Sequence, residues 1–251
     1  MRGYRSRDPQ QEGLPRIWSH ADATCAEHFI LPHHEVSLVA RLGAGDGDLA
    51  IYGPRSRPEP YRPVPGVRSV AVVLAPEVAR RVTGISVPEL IDGGAPMPRA
   101  LRRSPEPLLE PLATMETDDA LGCWGRAIAR LTAPARRQRD GTGEAARRIR
   151  ASAGTQPISA IARDLGLCER TLRRRLRAEI GLTPKAYGRL VRFLACVEAS
   201  DRVPRPDWAG LAVGYGYADQ AHLVRECAAM TGLTPARLHG VRGASEIFNT
   251  V

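Results

Sequence analysis

The sequence predicts an α+β chain of two domains, a β-rich one followed by an all-α one, and three observations predict it. Short β-branched runs between Gly/Pro turns occupy roughly the first 115 residues. Helical periodicity fills the chain after Gln156. The tetrapeptide GLTP at 181–184 returns at 232–235 and closes a second copy of the pattern that precedes the first.

In the first domain, VSLVARL (36–42), LAIYG (49–53) and VRSVAVVLA (67–75) read as strands. APEVARRVTG (75–84) and SVPELIDG (86–93) read as two short helices. In the second of these Ser86 caps, Pro88 falls in the first turn and Gly93 ends the element. WGRAIARL (124–131) is part of an amphipathic helix, and residues 132–152 mix basic, proline and glycine residues around a boundary. The division is therefore 1–131 for a β-rich domain, 132–157 for a linker and lead-in helix, 158–240 for the helical domain and 241–251 for a tail.

The bulk composition sets limits. An apolar fraction of 43% over 251 residues supports one large core or two modest ones and argues against wholesale disorder. Net charge is +9 from 36 basic and 27 acidic residues, which favours a polyanionic partner. Lys185 is the single lysine, so the basic groups are almost all guanidinium. Cysteines at 25, 123, 168, 196 and 227 have neither the even count of a disulfide framework nor metal-ligand spacing. No apolar run reaches the length of a bilayer span, and MRGYRSRDPQQEGLPR has no apolar segment behind it, so a cytoplasmic protein without membrane contact is expected.

Superposing the GLTP segments exposes the repeat. Leu172 sits nine residues before Gly181, and Leu223 nine before Gly232. Upstream, Ile161-Ala162 with Gly166 matches Leu211-Ala212 with Gly216. Each copy reads as a short helix, a glycine turn, a second helix and a GLTP stop, which is a helix-turn-helix pattern present twice. PKAYGRLVRFLACVEAS (184–200) between them is a long joining helix with Tyr187, Leu190, Val191, Leu194 and Val197 inward.

The helix at 169–180 carries the chemistry. Leu172, Leu176 and Ile180 form its inner stripe; Arg174 and Ala178 lie opposite, with Arg170 and Thr171 flanking. Arg175 and Arg177 stand at the margins, and Arg173 lies nearer the stripe and must reach outward along its stem. A guanidinium fork can donate two hydrogen bonds to guanine O6 and N7 in the major groove, while marginal arginines neutralise phosphates and set register. A solvated outer face is the ordinary explanation of one charged helix. Against it stand the duplicated pattern and a count of eight basic residues (170, 173, 174, 175, 177, 185, 189 and 192) to two acidic over 169–192. In the second copy Asp219 is an N-cap, Leu223, Cys227 and Met230 point inward, and the far side presents Ala221, His222, Arg225, Ala228 and Ala229. Arg225 leads there, with Gln220 and His222 secondary; His222 serves equally well as a packing residue.

ISAIARDLGLCERTLRRRLRAEIGLTP followed by LAVGYGYADQAHLVRECAAMTGLTP resembles the AraC/XylS family of bacterial transcription regulators over residues 158–240. In that family GYxDQxHLxR and GLTP mark the second motif. The resemblance implies a double helix-turn-helix DNA-binding domain that offers Arg170, Arg173 and Arg174 from the first reading helix and Gln220, Ala221 and Arg225 from the second. It implies double-stranded DNA as partner, and RNA polymerase as a second partner in an activator. Cys168 replaces the family's usual serine cap, Cys227 a phenylalanine, and Leu176 a common aromatic. The run GPRSRP with VRSVAVVLAPEVARRVTGISVPELIDG resembles the β-rich, often cupin-like sensor module of such regulators over about residues 34–131, implying a small-molecule effector or homodimerisation.

Two rival readings remain at this level. One is a metal-dependent cupin-like enzyme with a DNA-binding tail, using His20, His28, His33 and His34 with help from Glu27 and Glu35. Adjacent His33 and His34 would point opposite ways on a strand, and no histidine follows until 222. GAGDGD (43–48) lacks the lysine and helix of a phosphate-cradling loop. The other is a dimerising regulatory partner that binds DNA weakly. The expectation is a regulator, not an enzyme, with no catalytic residue, metal or cofactor assigned.

Overall fold

The computed structural model describes residues 4–7, 16–21, 28–43, 47–97, 106–137 and 140–244. The chain forms two compact units. The first takes Met1–His28, Glu35–Pro54 and Pro60–Arg139, the second Phe29–His34, Arg55–Glu59 and Asp140–Val251.

The first unit is built on β1 (Tyr4–Arg7), β2 (Arg16–Ala21), β4 (Val36–Leu42), β5 (Asp48–Tyr52), β7 (Arg68–Leu74) and β8 (Gly94–Pro96). These strands form one antiparallel sheet in the order β1-β2-β7-β4-β5-β8, while β3 (His28–Ile30) and β6 (Glu59–Tyr61) form a two-stranded sheet. Leu38 pairs with Val72 on one side and Ile51 on the other, so the two-residue period aligns Val36, Leu38, Ala40, Leu42, Val70, Val72 and Leu74 on one buried face. That face is covered by α1 (Pro76–Thr83), α2 (Glu106–Thr114) and α3 (Thr117–Arg137), which contribute Ala79, Leu112, Leu121, Trp124 and Ile128. Trp124 donates its indole N–H to the Leu38 carbonyl at 3.2 Å, so a large ring is buried with its one polar atom satisfied. Arg68 donates to the Met115 and Ala113 carbonyls at 2.7 and 3.3 Å, closing the carboxyl end of α2.

The three strand runs read from sequence are β4, β5 and β7. The stretch 86–93 does hold a short helix with Ser86 in the N-cap position and Pro88 in its first turn, but the helix is 3-10 and ends before Gly93. It is a single 3-10 turn over Val87–Leu90, Ser86 makes no side-chain cap bond, and the left-handed residue is Asp92 with φ 56°. The reason is pairing: Gly53 N–H donates to Gly93 O and Asp92 N–H to Pro54 O, committing this backbone to the edge strand β8. α3 runs six residues into the segment read as a linker.

In the second unit α4 (Gly141–Ala151) and α5 (Ile158–Asp164) lead into α6 (Glu169–Ile180), α7 (Pro184–Asp201), α8 (Trp208–Gly214), α9 (Gln220–Thr231) and α10 (Pro235–Ala244). The two helix-turn-helix copies are α5–α6 and α8–α9, with α7 the long joining helix. Each turn closes the same way. Leu167 N–H returns to Ala162 O and Tyr217 N–H to Ala212 O, both at 2.9 Å, across Gly166 (φ 65°) and Gly216 (φ 73°). The left-handed backbone there explains the glycine, and the full burial of Ala162 and Ala212 explains the small side chain four residues earlier. GLTP has a double role. Gly181 and Gly232 end α6 and α9, while Thr183 caps α7 and Thr234 accepts from Arg237 N–H ahead of α10. α7 contributes to three separate packed groups: Tyr187 and Val191 face α4, α5 and α6; Leu190, Phe193, Leu194 and Val197 meet Cys227 and Leu238; Cys196 meets Ala212 and Leu223. Leu31 packs beside Leu190 and Phe193, and the His34 ring lies edge-on to Tyr187 at 5.1 Å.

Candidate nucleic-acid interface

α6 starts at Cys168, whose backbone is extended (φ −79°, ψ 150°) but whose side chain makes no cap bond. Its Sγ lies 3.1 Å from the Thr171 hydroxyl, and that hydrogen bond is the main cause of a lowered thiol pKa. Leu172, Leu176 and Ile180 are 0% exposed against Ala145, Ala146 and Ile149 of α4, Ile161 and Ala162 of α5, and Tyr187 of α7. With that side sealed, about 100° of rotation per residue sets the rest. Arg174 stands about 160° from the centre of the buried stripe, Arg170 about 120°, Arg175 and Arg177 about 100° on opposite sides, and Arg173 about 60°. All five arginines are exposed, including Arg173, and Thr171 is half-buried. Among the described residues none of the five is paired with a carboxylate.

Other arginines of this unit are committed internally. Arg189 and Arg192, counted with the basic set in the sequence, turn toward the buried carboxylate of Glu226. Arg242, within the stretch read as a tail, is buried on α10 and grips Asp201 with Nε at 3.2 and 3.0 Å. Arg148 spans from Glu144 on its own helix to Asp164 on α5.

α9 is capped as its sequence predicts: the Asp219 carboxylate accepts from His222 N–H at 2.6 Å. Gln220, Ala221, Arg225, Ala228 and Ala229 are exposed, Leu223 and Cys227 are buried, and Met230 is half-buried. His222 is drawn into the turn, its ring edge-on to Tyr217 at 5.3 Å and its Nδ1 accepting from Ala218 N–H at 3.4 Å. Sequence reasoning missed Glu226. It follows Leu223 by three, so the same spacing that put Cys227 inside also puts an acid inside, opposite two arginines three residues apart on the joining helix. Burial pushes the Cys196 thiol up to about 11 and raises that of Cys227, and both are free.

The rival reading draws on His20, His28, His33 and His34. His20 is buried in β2 of the first unit, while His33 and His34 belong to the second. The side chain of His28 and residues Cys25, Glu27 and 44–46 lie outside the described residues. Among the described residues no group of three or more His, Cys, Asp or Glu could hold a metal ion, and no helix is long and apolar enough to cross a membrane. The first unit has an open groove of about 380 Å³ on the β4–β5–β8 edge, walled by Ala50, Pro96 and Leu109 with Arg41, Asp48 and Tyr52. There Arg41 donates to Asp48 through Nε and Nη2 at 2.7 and 2.6 Å, with its guanidinium 5.9 Å from the Tyr52 ring centre.

A family model described as a helix-turn-helix domain matches residues 161–239, from the middle of α5 to the middle of α10. No curated protein sequence matches the chain. Among solved structures, ToxT from Vibrio cholerae in its P21 form aligns over 95% of this chain and 98% of its own, at 7% identity and a TM-score of 0.49. A ToxT structure bound to (E)-4-(8-methylnaphthalen-1-yl)but-3-enoic acid aligns over 95% and 99%, with the same identity and score.

Proposed function

We propose, on the premise that residues 161–239 are a helix-turn-helix domain of the AraC/XylS type, that the chain is a sequence-specific transcription regulator that reads duplex DNA with α6 and α9. The observation that carries the reading is the set of five exposed arginines on α6 that, among the described residues, no carboxylate neutralises, opposite a stripe of leucine and isoleucine with no exposure at all. Three arginines of the same unit, Arg189, Arg192 and Arg242, do find internal acids, so the free state of the α6 set is selective rather than a shortage of partners.

In this reading Arg174 approaches base edges, flanked by Arg170 and Thr171, and its planar fork donates to guanine. Arg175 and Arg177 meet phosphates on either side of the groove, and Arg173 joins them along its stem. On α9, Arg225 is the charged reader, Gln220 donates and accepts at an adenine edge, and Ala221 offers a methyl surface to thymine. His222 positions the turn and contributes at most a phosphate contact. The first unit carries the regulatory input, and the groove beside Arg41, Asp48 and Tyr52 supports binding of a small-molecule effector there. Homodimerisation and contact with RNA polymerase complete the proposal for an activator.

Selection of bound sites from a randomised duplex pool, with the full chain as bait, tests the reading. The expected result is a recovered motif with two separate segments, one lost on mutating α6 and the other on mutating α9. Recovery of random sequence overturns it. Linking the recovered site to a promoter and measuring transcript yield then separates activation from repression.

A further inference from the structure

The second reading helix is fastened by one buried carboxylate. Glu226 is 6% exposed and sits one residue past the outward-facing Arg225. Arg189 Nε donates to its Oε2 at 3.1 Å, the Tyr217 hydroxyl donates to Oε1 at 3.3 Å, and Arg192 Nη2 stands 3.9 Å from Oε1. Arg189 and Arg192 are on α7, whereas Tyr217 follows the turn glycine of the second motif. Arg192 also donates from Nη1 to the Gly216 carbonyl at 3.3 Å and lies 4.9 Å from the Tyr217 ring centre. Joining helix, turn and reading helix thus meet at a single polar point. Burial raises the pKa of the Tyr217 phenol, so it keeps its proton and serves here as a donor.

α6 is held differently, by the wholly apolar stripe of Leu172, Leu176 and Ile180. The inner side of α9 is thinner, with Leu223 and Cys227 fully buried and Met230 only in part. Its apolar contacts fall into two small groups, Leu223 with Cys196, Ala212 and Tyr217, and Cys227 with Phe193, Leu194 and Leu238, and such contacts are non-directional. A buried charge held by two guanidinium groups and a phenol has one good geometry, and it therefore supplies the missing restraint.

We propose that Glu226 is a positioning residue for the second reading helix. It fixes the direction in which Gln220, Ala221 and Arg225 face relative to α7, and so governs reading of the α9 segment of the site without touching DNA. This rests on the functional reading above.

The test uses the full chain and duplexes recovered by the wild-type protein, with Arg174→Ala and Arg225→Ala assigning each segment to its helix. Affinity is then measured on the recovered site and on versions with either segment scrambled, for Glu226→Ala, Glu226→Gln and Arg189→Ala. Glu226→Ala is expected to reduce discrimination at the α9 segment about tenfold, with discrimination at the α6 segment unchanged within about twofold. Glu226→Gln keeps one acceptor oxygen, enough for Arg189 or for Tyr217 but not for both, and recovers part of the loss. Arg189 is half-exposed, so Arg189→Ala keeps the test open should Glu226→Ala fail to fold, and it shows the same one-sided loss. Equal loss at both segments, or none at either, overturns the proposal, as does a recovered site with only one segment. If the wild-type protein recovers no site, the functional reading itself has failed; if it does and these variants match it, only the role of Glu226 has.

Discussion

Arg174→Ala and Arg177→Ala remove the same group from one helix, yet their positions predict opposite signatures. Arg174 stands about 160° from the buried stripe and faces straight out, whereas Arg177 is about 100° away and faces the groove wall. A bidentate arginine–guanine pair carries about 1–3 kcal/mol of discrimination, or roughly 5- to 150-fold between the right base and a wrong one. Arg174→Ala is therefore expected to lose that much affinity on the selected site and little on a duplex already changed at the contacted base. A phosphate contact contributes about 0.9 to the slope of log affinity against log salt. Over a fourfold rise in salt, from about 50 to 200 mM, one such contact changes affinity about 3.5-fold. Arg177→Ala is therefore expected to bind all duplexes more weakly by one common factor, and to lose about 3.5-fold less affinity than wild type over that rise. The assay is equilibrium binding on the selected duplex and its single-base variants at several salt concentrations. Uniform weakening with a flatter salt slope for Arg174→Ala, or base-selective loss for Arg177→Ala, refutes the assignment of these two arginines.

Three stability predictions follow from the same unit. Cys168 already has an N-cap backbone but no cap bond, so Cys168→Ser is expected to stabilise the domain by about 1 kcal/mol in denaturant unfolding; no gain would mean that the cysteine contact with Thr171 already does the capping. Gly154 has φ 70°, and a Cβ built there would lie 2.1 Å from the Gly188 carbonyl oxygen, so Gly154→Ala is expected to destabilise by about 2 kcal/mol or more. A loss under about 1 kcal/mol would show that α4 and α7 separate easily there. Arg147, with help from Arg148, holds the Glu144 carboxyl at about 2, below its ordinary 4.5. The ionised form is the stabilised one, so its contribution is complete above pH 4.5 and disappears as pH falls toward 2. Wild type and Glu144→Gln should differ in unfolding midpoint at neutral pH and converge on acidification; a gap that does not change with pH rejects this account.

The second unit was legible because its signals are local. Asp219 caps α9, Leu172, Leu176 and Ile180 line one side of α6, and both GLTP segments end one helix and start the next, each within a few residues of its cause. The strands at 36–42, 48–52 and 68–74 announced themselves by their β-branched residues. What stayed hidden depends on partners distant in sequence. RIWSHA does not alternate cleanly, and it becomes strand β2 because β7 supplies a ladder some 50 residues later. Ser86 to Gly93 has the composition of a helix, but the edge of β5 claims its backbone. Arg189 and Glu226 are 37 residues apart, and only the crossing of α7 and α9 turns a basic count into an ion pair. On charge alone Arg189 and Arg174 are alike; the fold pairs the first with Glu226 and, among the described residues, gives the second no carboxylate.

α7 is hemmed in along its length, with Tyr187, Phe193 and Cys196 each fully enclosed in a different neighbourhood. At 18 residues it spans about 27 Å. On the proposed function, α7 would hold the two readers as the jaws of a caliper set at one opening. Such an instrument measures the gap between two words as well as their letters. A target with correct letters and a few base pairs inserted between them would present its second word on the wrong side of the double helix. On that reading, a new target for this protein would differ in its letters and keep the gap.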